Sequence, residues 1–297
     1  MGPRGDRGGR PTKGATRGHT GHRGAVQRRP LRQERPHACL IGHVAHQGSF
    51  EEGHETLLEL ADIDVPTKQV EREAERLGKE IAEDEKRVVE PVSQVELPPT
   101  LYLGLDGTGI PMRKSELVGR TGKQEDGSAK TREVKLCTVW SAEGRDDEGV
   151  PIREATRRGF ANAVRHVVLG DGAEWIWNIA TEQFSDAIQI VDRYHANEHL
   201  CDAAKAIYGA GSDLVKQWAH SRCTNRARMR YAEFHAAGLC TSTAVVESGC
   251  KRAIGLRLKR GGMFWTVKGA DAIIALRCCK LSGRFEDFWE RRSVASR

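Results

Sequence analysis

The sequence has no apolar run of the roughly 18–20 residues that a membrane-crossing helix needs. The basic residues at its start have no apolar stretch behind them of the kind a secretory leader carries. A soluble, cytoplasmic protein is the expectation. Paired cysteines are also missing: Cys39, Cys137, Cys201, Cys223, Cys240, Cys250, Cys278 and Cys279 form no Cys-x-x-Cys and show no regular spacing. This argues against a zinc knuckle or a disulfide framework and leaves free thiols in a reducing compartment as the default. Net charge is lacking where it would mean most. The formal +6 of the chain resides in residues 1–36, where ten Lys or Arg against Asp6 and Glu34 make a local +8, so the remainder sums to −2. Bulk charge therefore does not mark the folded part as nucleic-acid binding, and only local clusters can.

What is present is enough for a large domain and a smaller one, with 38% hydrophobic residues in 297. Residues 1–46 are rich in Gly, Arg and Pro with almost no large apolar side chain, the composition of a disordered segment. Two readings stand for it: a basic DNA-binding arm, or the product of a GC-rich gene read out of frame or from a wrong start. Residues 47–98 read as a helical region and linker. Leu57, Leu58, Leu60 and Ala61 stripe one helix, "DIDVP" breaks it, and Thr67 can cap a second helix carrying Val70, Ala74 and Leu77. The pair is helix-turn-helix-like. Its second helix bears Glu71, Glu73 and Glu75, which repel phosphates, so a structural or assembly hairpin outweighs DNA reading there. "EPVSQVELPPT" follows as a Pro-marked linker.

Residues 99–297 change period. "TLYLGLDGTGIPMR" alternates as a strand that "GTG" turns back, and "EVKLCTVWSAEG" is another strand. A helix over Arg158–Val164 leads to the strand "HVVLGD". The helix "AEWIWNIATEQF", the strand "AIQIVDRY" and the helix "HANEHLCDAAKAIY" follow. The order is α/β, antiparallel strands first and crossovers afterwards, as expected for a ribonuclease H-like fold with a mixed five-stranded sheet.

Three carboxylates share a context. Asp106 ends the first strand, Asp171 ends the strand after the first helix, and Glu247 opens the helix of "STAVVESGCKRAIGLRLKR". On that helix Glu247 shares rows with Cys250, Lys251, Ile254 and Leu258, which places it at a core-facing seam. A carboxylate there needs a partner or a metal. Three carboxylates meeting at strand ends suit phosphoryl transfer with two divalent ions about 3.5–4 Å apart. Hard oxygen donors select Mg²⁺ or Mn²⁺. Gly104, Gly107, Gly170 and Gly172 beside the aspartates would let a nucleic-acid backbone come close. The plainer alternative is two Asp-Gly turns and a helix-capping glutamate.

The runs "YLGLDGTGIPM", "LGDGAEWIWNIA", "AIQIVDRYHANEHL", "RMRYAEFHAAGL", "VVESGCKRAIGLRLKRGGMFW" and "GADAIIALRC" closely resemble, in that order, the ISKra-type insertion-sequence transposases of bacteria, relatives of the Mutator-like DDE transposases. The resemblance runs from about Gly48 to Arg292. It implies a ribonuclease H-like DDE core whose carboxylates and metal ligands are Asp106, Asp171 and Glu247. "DRYH", Asp192 to His195, is similar to the family's DxxH motif, and it implies supporting roles for Asp192 and His195. The implied activity is cleavage of double-stranded DNA at the element's ends and strand transfer to target DNA, using two Mg²⁺ or Mn²⁺ ions, by a homo-oligomer on the bacterial nucleoid.

Trp175 and Trp177 lie on different sides of their helix, so one is expected in the core behind Asp171, while the other is open to DNA stacking. Two basic clusters bracket Glu247: Arg222, Arg226, Arg228 and Arg230 before it, and Lys251, Arg252, Arg257, Lys259 and Arg260 after it. They read as phosphate contacts that position DNA without specifying its sequence. Three features depart from the family's pattern. Arg- and Gly-rich sequence stands where relatives carry paired cysteines, the helical insertion over about 201–230 is short, and "STAVVESGCK" replaces the usual "SGVVES" lead-in. Two other readings stay open: a truncated, catalytically inactive remnant that binds DNA or partner subunits, and a ribonuclease H-like nuclease.

Overall fold

A computed structural model of the chain describes residues 34–87, 98–122, 124–125, 127–141, 160, 163–209 and 226–294. The architecture is α/β. Four strands among the described residues, β1 (Thr100–Pro111), β2 (Thr131–Trp140), β3 (Arg165–Gly170) and β4 (Ile188–Val191), lie in the order β2-β1-β3-β4. β2 runs antiparallel to β1, whereas β1, β3 and β4 are mutually parallel.

Alternation along the strands sorts the two faces. Leu101, Leu103, Leu105 and Val168 pack with Ile176, Trp177 and Ala180 of α4 (Glu174–Gln183) on one side. Tyr102, Trp140, Val167, Leu169 and Ile190 pack on the other with Phe234 of α6 (Tyr231–Ala236) and Leu239. The parallel strands are thus covered on both faces, as their apolar runs require. α5 (Arg193–Tyr208) leaves the end of β4, and α7 (Ala244–Cys250) lies over β1 and β2. Gly104 lets α7 approach, since a Cβ there would meet Trp140 and Val246.

The expected turn at "GTG" does not form. Gly107, Thr108 and Gly109 stay in the ladder opposite Lys135, Val134 and Glu133, so β1 is one long strand and the described sheet has four strands instead of five. Pairing with a full-length β2 satisfies the backbone groups that two glycines would otherwise free for a turn. The expected helix over Arg158–Val164 lies largely outside the described residues, as do the linker before Leu97 and most of the 201–230 insertion beyond Gly209.

Disorder expected over residues 1–46 does not hold at its end, where α1 (Glu34–Ala45) buries Ala38, Ile41 and Ala45. This short apolar stripe is diluted by the Gly and Arg before it, so composition alone misses it. α2 (Phe50–Ala61) starts with a capping box: the Ser49 Oγ accepts the Glu52 N–H at 3.1 Å, and the Glu52 carboxylate accepts the Ser49 N–H at 2.6 Å. α3 (Thr67–Arg87) buries Val70, Ala74, Leu77 and Ile81 against α9 (Val267–Leu281) and α10 (Phe285–Val294) in one core that also holds Ile254, Ile273 and Phe285. The helices of the 47–98 region therefore share a core with the C-terminal helices. Among the described residues no helix is long and apolar enough to cross a membrane.

The crossing of α3 and α9 is tight at Gly78, where an added Cβ would run into the Ala272 carbonyl. Alanine in a helix interior ordinarily stabilises over glycine by about 1 kcal/mol. Here Gly78→Ala is expected to reverse that sign and to cost about 1–3 kcal/mol through overpacking. Urea unfolding of the two proteins reads the difference, and a more stable alanine variant would contradict the close crossing.

Candidate functional site

Strand register assembles the acidic row. β1 and β3 pair as far as Gly104 opposite Leu169, and β3 and β4 pair as far as Gly170 opposite Val191. Continuing those registers sets Asp106 beside Asp171 and Asp171 beside Asp192, at one level across three adjacent parallel strands. All three share the parity of Tyr102, Leu169 and Ile190, so the row belongs to the face that α7 covers. Asp106 does not end its strand, as the sequence led us to expect. It stands in mid-strand, two residues beyond the last pairing with β3.

Asp171 is held by its turn. Its Oδ1 accepts the Ala173 N–H at 2.9 Å, and Gly172 adopts φ +106°, a conformation that side chains resist. The Trp177 Nε1–H donates to the Gly172 carbonyl at 3.2 Å, so this buried indole fixes the turn from behind while the Arg228 guanidinium covers its ring. Trp175 is half-buried, with the Lys135 ammonium 4.2 Å from its ring centroid. The expected division of the two indoles holds only in degree: Trp177 is buried in the core behind Asp171, and Trp175, though more exposed, packs against that same core. The close approach expected at the glycines is blocked at three of the four, and only Gly172 has room above it. The space above Gly104 is filled by Trp140 and Val246, that above Gly107 by Glu133, and that above Gly170 by Ile176.

Asp192 is the most constrained carboxylate of the row. It is buried, and its Oδ1 caps α5 by accepting the N–H groups of Tyr194 and His195, each at 2.8 Å. Its Oδ2 accepts the Thr243 N–H at 2.6 Å, with the Thr243 hydroxyl 3.1 Å away. Burial alone would raise the Asp192 carboxyl, but the N–H groups of His195 and Thr243 outweigh it and hold the carboxyl below its ordinary value. The Arg193 N–H donates to the Thr241 carbonyl at 3.0 Å, a second tie between α5 and the segment leading into α7.

That segment delivers Glu247. The Thr243 Oγ1 donates to Glu247 Oε1 at 2.6 Å, one turn along α7, and His195 Nδ1 lies 3.2 Å from Asp192 Oδ1 and 3.8 Å from Glu247 Oε1. Glu247 does not lie in the core seam. Its side chain is 50% exposed, because the seam is formed by Val246, Cys250, Ala253 and Ile254 and leaves Glu247 on its rim. Cys250, one turn further on, lies near the Asp106 carboxylate. Burial, aided by that carboxylate, pushes the thiol up to about 12. α7 thus approaches the row at two points, Asp106 through Cys250 and Asp192 through Thr243.

Among the described residues, the group whose possible ligand atoms all lie within 4.8 Å is Asp192, His195 and Glu247. Asp106 and Asp171 do not join Glu247 within that radius. Both oxygens of Asp192 already accept hydrogen bonds, so this group reads as a hydrogen-bonded brace more than as an open ligand set. The oxygen donors with room for a hard cation are those of Asp106, Asp171 and Glu247, all partly or well exposed.

The cations divide. Lys251, Arg252 and Lys259 are exposed on the α7 side, and the Lys259 ammonium bonds Thr108 Oγ1, two residues along the Asp106 face of β1. Arg226 is exposed, Arg228 bonds Gln189 at 2.7 Å, and Arg230 pairs with Glu233. Arg260 pairs with Glu52 and holds that carboxyl down to about 2. Arg222 lies outside the described residues. Arg257 is a correction: it is fully buried between the rings of Phe50 and Trp265, its Nε donates to the Ala45 carbonyl at 3.1 Å, and burial pushes its guanidinium down to about 10. No phosphate can reach it. Thr243, Cys250 and the structural role of Arg257 were not foreseen, and only Thr243 left a signal, the i, i+4 spacing to Glu247 on one helix face.

No protein-family model matches the chain, and no curated protein matches it either.

Proposed function

We propose that this protein is a DDE transposase with a ribonuclease H-like core, cutting DNA at insertion-sequence ends and joining the 3′-hydroxyl to target DNA. The observation that carries the reading is the register that sets Asp106 beside Asp171 on the sheet face beneath the helix of Glu247. Their oxygen donors suit Mg²⁺ or Mn²⁺, and Asp106, Asp171 and Glu247 would hold two such ions. Bound there, the ions would supply Lewis-acid activation of the attacking hydroxyl and charge neutralisation at the leaving oxygen. The chain's own contributions are positional: Thr243 orients Glu247, and the Gly172 turn orients Asp171. Lys251, Arg252 and Lys259 give double-stranded DNA a cationic bed beside the row, and synapsis of two ends calls for a homo-oligomer.

A second reading has an observation of its own. The three carboxylates do not close to a common ligand sphere, which favours an inactive remnant that retains DNA binding. The test is nicking and joining of a duplex carrying the element's ends, with and without Mg²⁺. Metal-dependent nicking followed by joining supports the transposase, nicking without joining points to a nuclease, and DNA binding with neither supports the remnant.

A further inference from the structure

The helix that carries Glu247 does not continue as a plain α-helix. After α7 it passes through a π-helical segment, Lys251–Gly255, before a last α-turn, α8 (Leu256–Leu258). Lys259 is twelve residues beyond Glu247. On an unbroken α-helix that separation turns it about 120° away, whereas a one-residue π-bulge winds it back by about 100° and leaves it within about 20° of the Glu247 row. The Lys259 ammonium accordingly reaches Thr108 on the Asp106 face of β1.

The bulge leaves a carbonyl over. The Leu256 N–H is shared between the carbonyls of Lys251 and Ile254, and the Lys259 N–H goes to the Gly255 carbonyl. Of the carbonyls of Arg252, Ala253 and Ile254, the last has a share of the Leu256 N–H, and beyond that share only the N–H groups of Arg257 and Leu258 remain for the three. Arg277 of α9 fills the deficit. Its side chain is buried, its Nε donates to the Ala253 carbonyl at 2.6 Å, and its Nη2 donates to the Arg252 carbonyl. A buried unpaired carbonyl is costly, so without this fork the segment is driven back towards α-helical pairing, and Lys259 turns away from the row.

The geometry points to Arg277 as a positioning residue that, through the π-bulge, holds Lys259 against the phosphate of DNA lying on the carboxylate row. This rests on the transposase reading. Arg277 is 5% exposed and cannot touch DNA itself, so any effect it has on phosphate binding must pass through another side chain.

The salt dependence of affinity reports how many phosphates the protein neutralises, its slope falling by about 0.9 for each phosphate released on duplex DNA. Full-length wild type, Arg277→Met, Lys259→Gln and the double variant are titrated by fluorescence anisotropy onto a labelled duplex over a range of KCl, with circular dichroism to establish folding. The expected result is a slope lower by about 0.9 in each single variant, the equivalent of one phosphate, and no further fall in the double variant. A wild-type slope in folded Arg277→Met overturns the inference, and so does a further fall in the double variant. Should Arg277→Met not fold, Arg277→Lys carries the test, because an ammonium keeps the charge without the planar fork that serves two carbonyls. A lowered slope then supports the role, and a wild-type slope overturns it. Wild type that fails to bind DNA overturns the transposase reading and this inference with it. Wild type that binds while folded Arg277→Met keeps the wild-type slope overturns the inference alone.

Discussion

Asp171→Asn is expected to reduce Mg²⁺-dependent nicking at least ~1000-fold, equivalent to about 4 kcal/mol of transition-state stabilisation at 1.36 kcal/mol per decade. The substitution is nearly isosteric, and the bond from the Ala173 N–H to Oδ1 survives because the Asn amide oxygen accepts it equally well. The turn at Gly172 and the Trp177 bond behind it are therefore kept, so unfolding free energy should stay within about 0.5 kcal/mol of wild type. What changes is one negative charge at the centre of the acidic row. DNA affinity should hold or rise slightly, since that charge opposes phosphates. The pattern of lost chemistry, intact fold and intact binding separates an acting ligand from a turn residue. Nicking within threefold of wild type, measured on folded protein, would remove Asp171 from the machinery and return it to the Asp-Gly turn that its sequence also permits.

Much of the frame was legible because its signals are local. The two-residue alternation of Leu101, Leu103 and Leu105, the helical spacing of Val70, Ala74 and Leu77, and the strand–helix order through "HVVLGD" and "AIQIVDRY" all reappear as elements. The misreadings come from non-local pairing. "GTG" looks like a turn until a full-length β2 lies beside it, and α1 looks like part of a disordered arm until Ala38, Ile41 and Ala45 are buried, Ile41 and Ala45 in the core that the C-terminal helices share.

The candidate site was legible as residue types and less so as roles. The parallel register of β1 and β3, continued two residues, sets mid-strand Asp106 beside Asp171, and nothing in either local sequence points to the other without that topology. Glu247 was placed on the wrong part of its helix because Cys250 and Ile254 lie in the core with Val246, a row that passes beside the glutamate. Arg257 reads as one more member of a basic run, and nothing in "GLRLKR" distinguishes it from Lys259. The difference is set by Phe50 and Trp265, which cover the one guanidinium and not the other side chain. Arg277 is equally silent in sequence, since a skipped carbonyl in a π-turn leaves no mark on composition or period.

Asp192→Ala is expected to be the most damaging substitution for the site that is not itself at the proposed chemistry. It removes the cap of α5, about 1 kcal/mol. It also leaves the buried Thr243 N–H without an acceptor, which adds about 1–3 kcal/mol. A total of about 2–4 kcal/mol corresponds to a fall in melting temperature of roughly 5–15 °C for a domain of this size. Freed from Asp192, Thr243 no longer holds its hydroxyl against Glu247, so nicking should fall more than tenfold at temperatures where the variant is still folded, with DNA affinity near wild type. Protonation tests the same brace. The folded-state value of Asp192 is depressed, so its stabilisation is complete above the ordinary aspartate value near 3.8 and is lost as pH falls through the lower folded-state value. Asp192→Asn keeps one acceptor but turns an amide towards the Thr243 N–H, and it cannot titrate. The stability gap between wild type and Asp192→Asn should therefore be wide at neutral pH and should narrow on acidification below the ordinary aspartate range. A gap that is constant with pH would mean that the Asp192 charge is not what secures α7, and that Glu247 reaches the acidic row by packing alone.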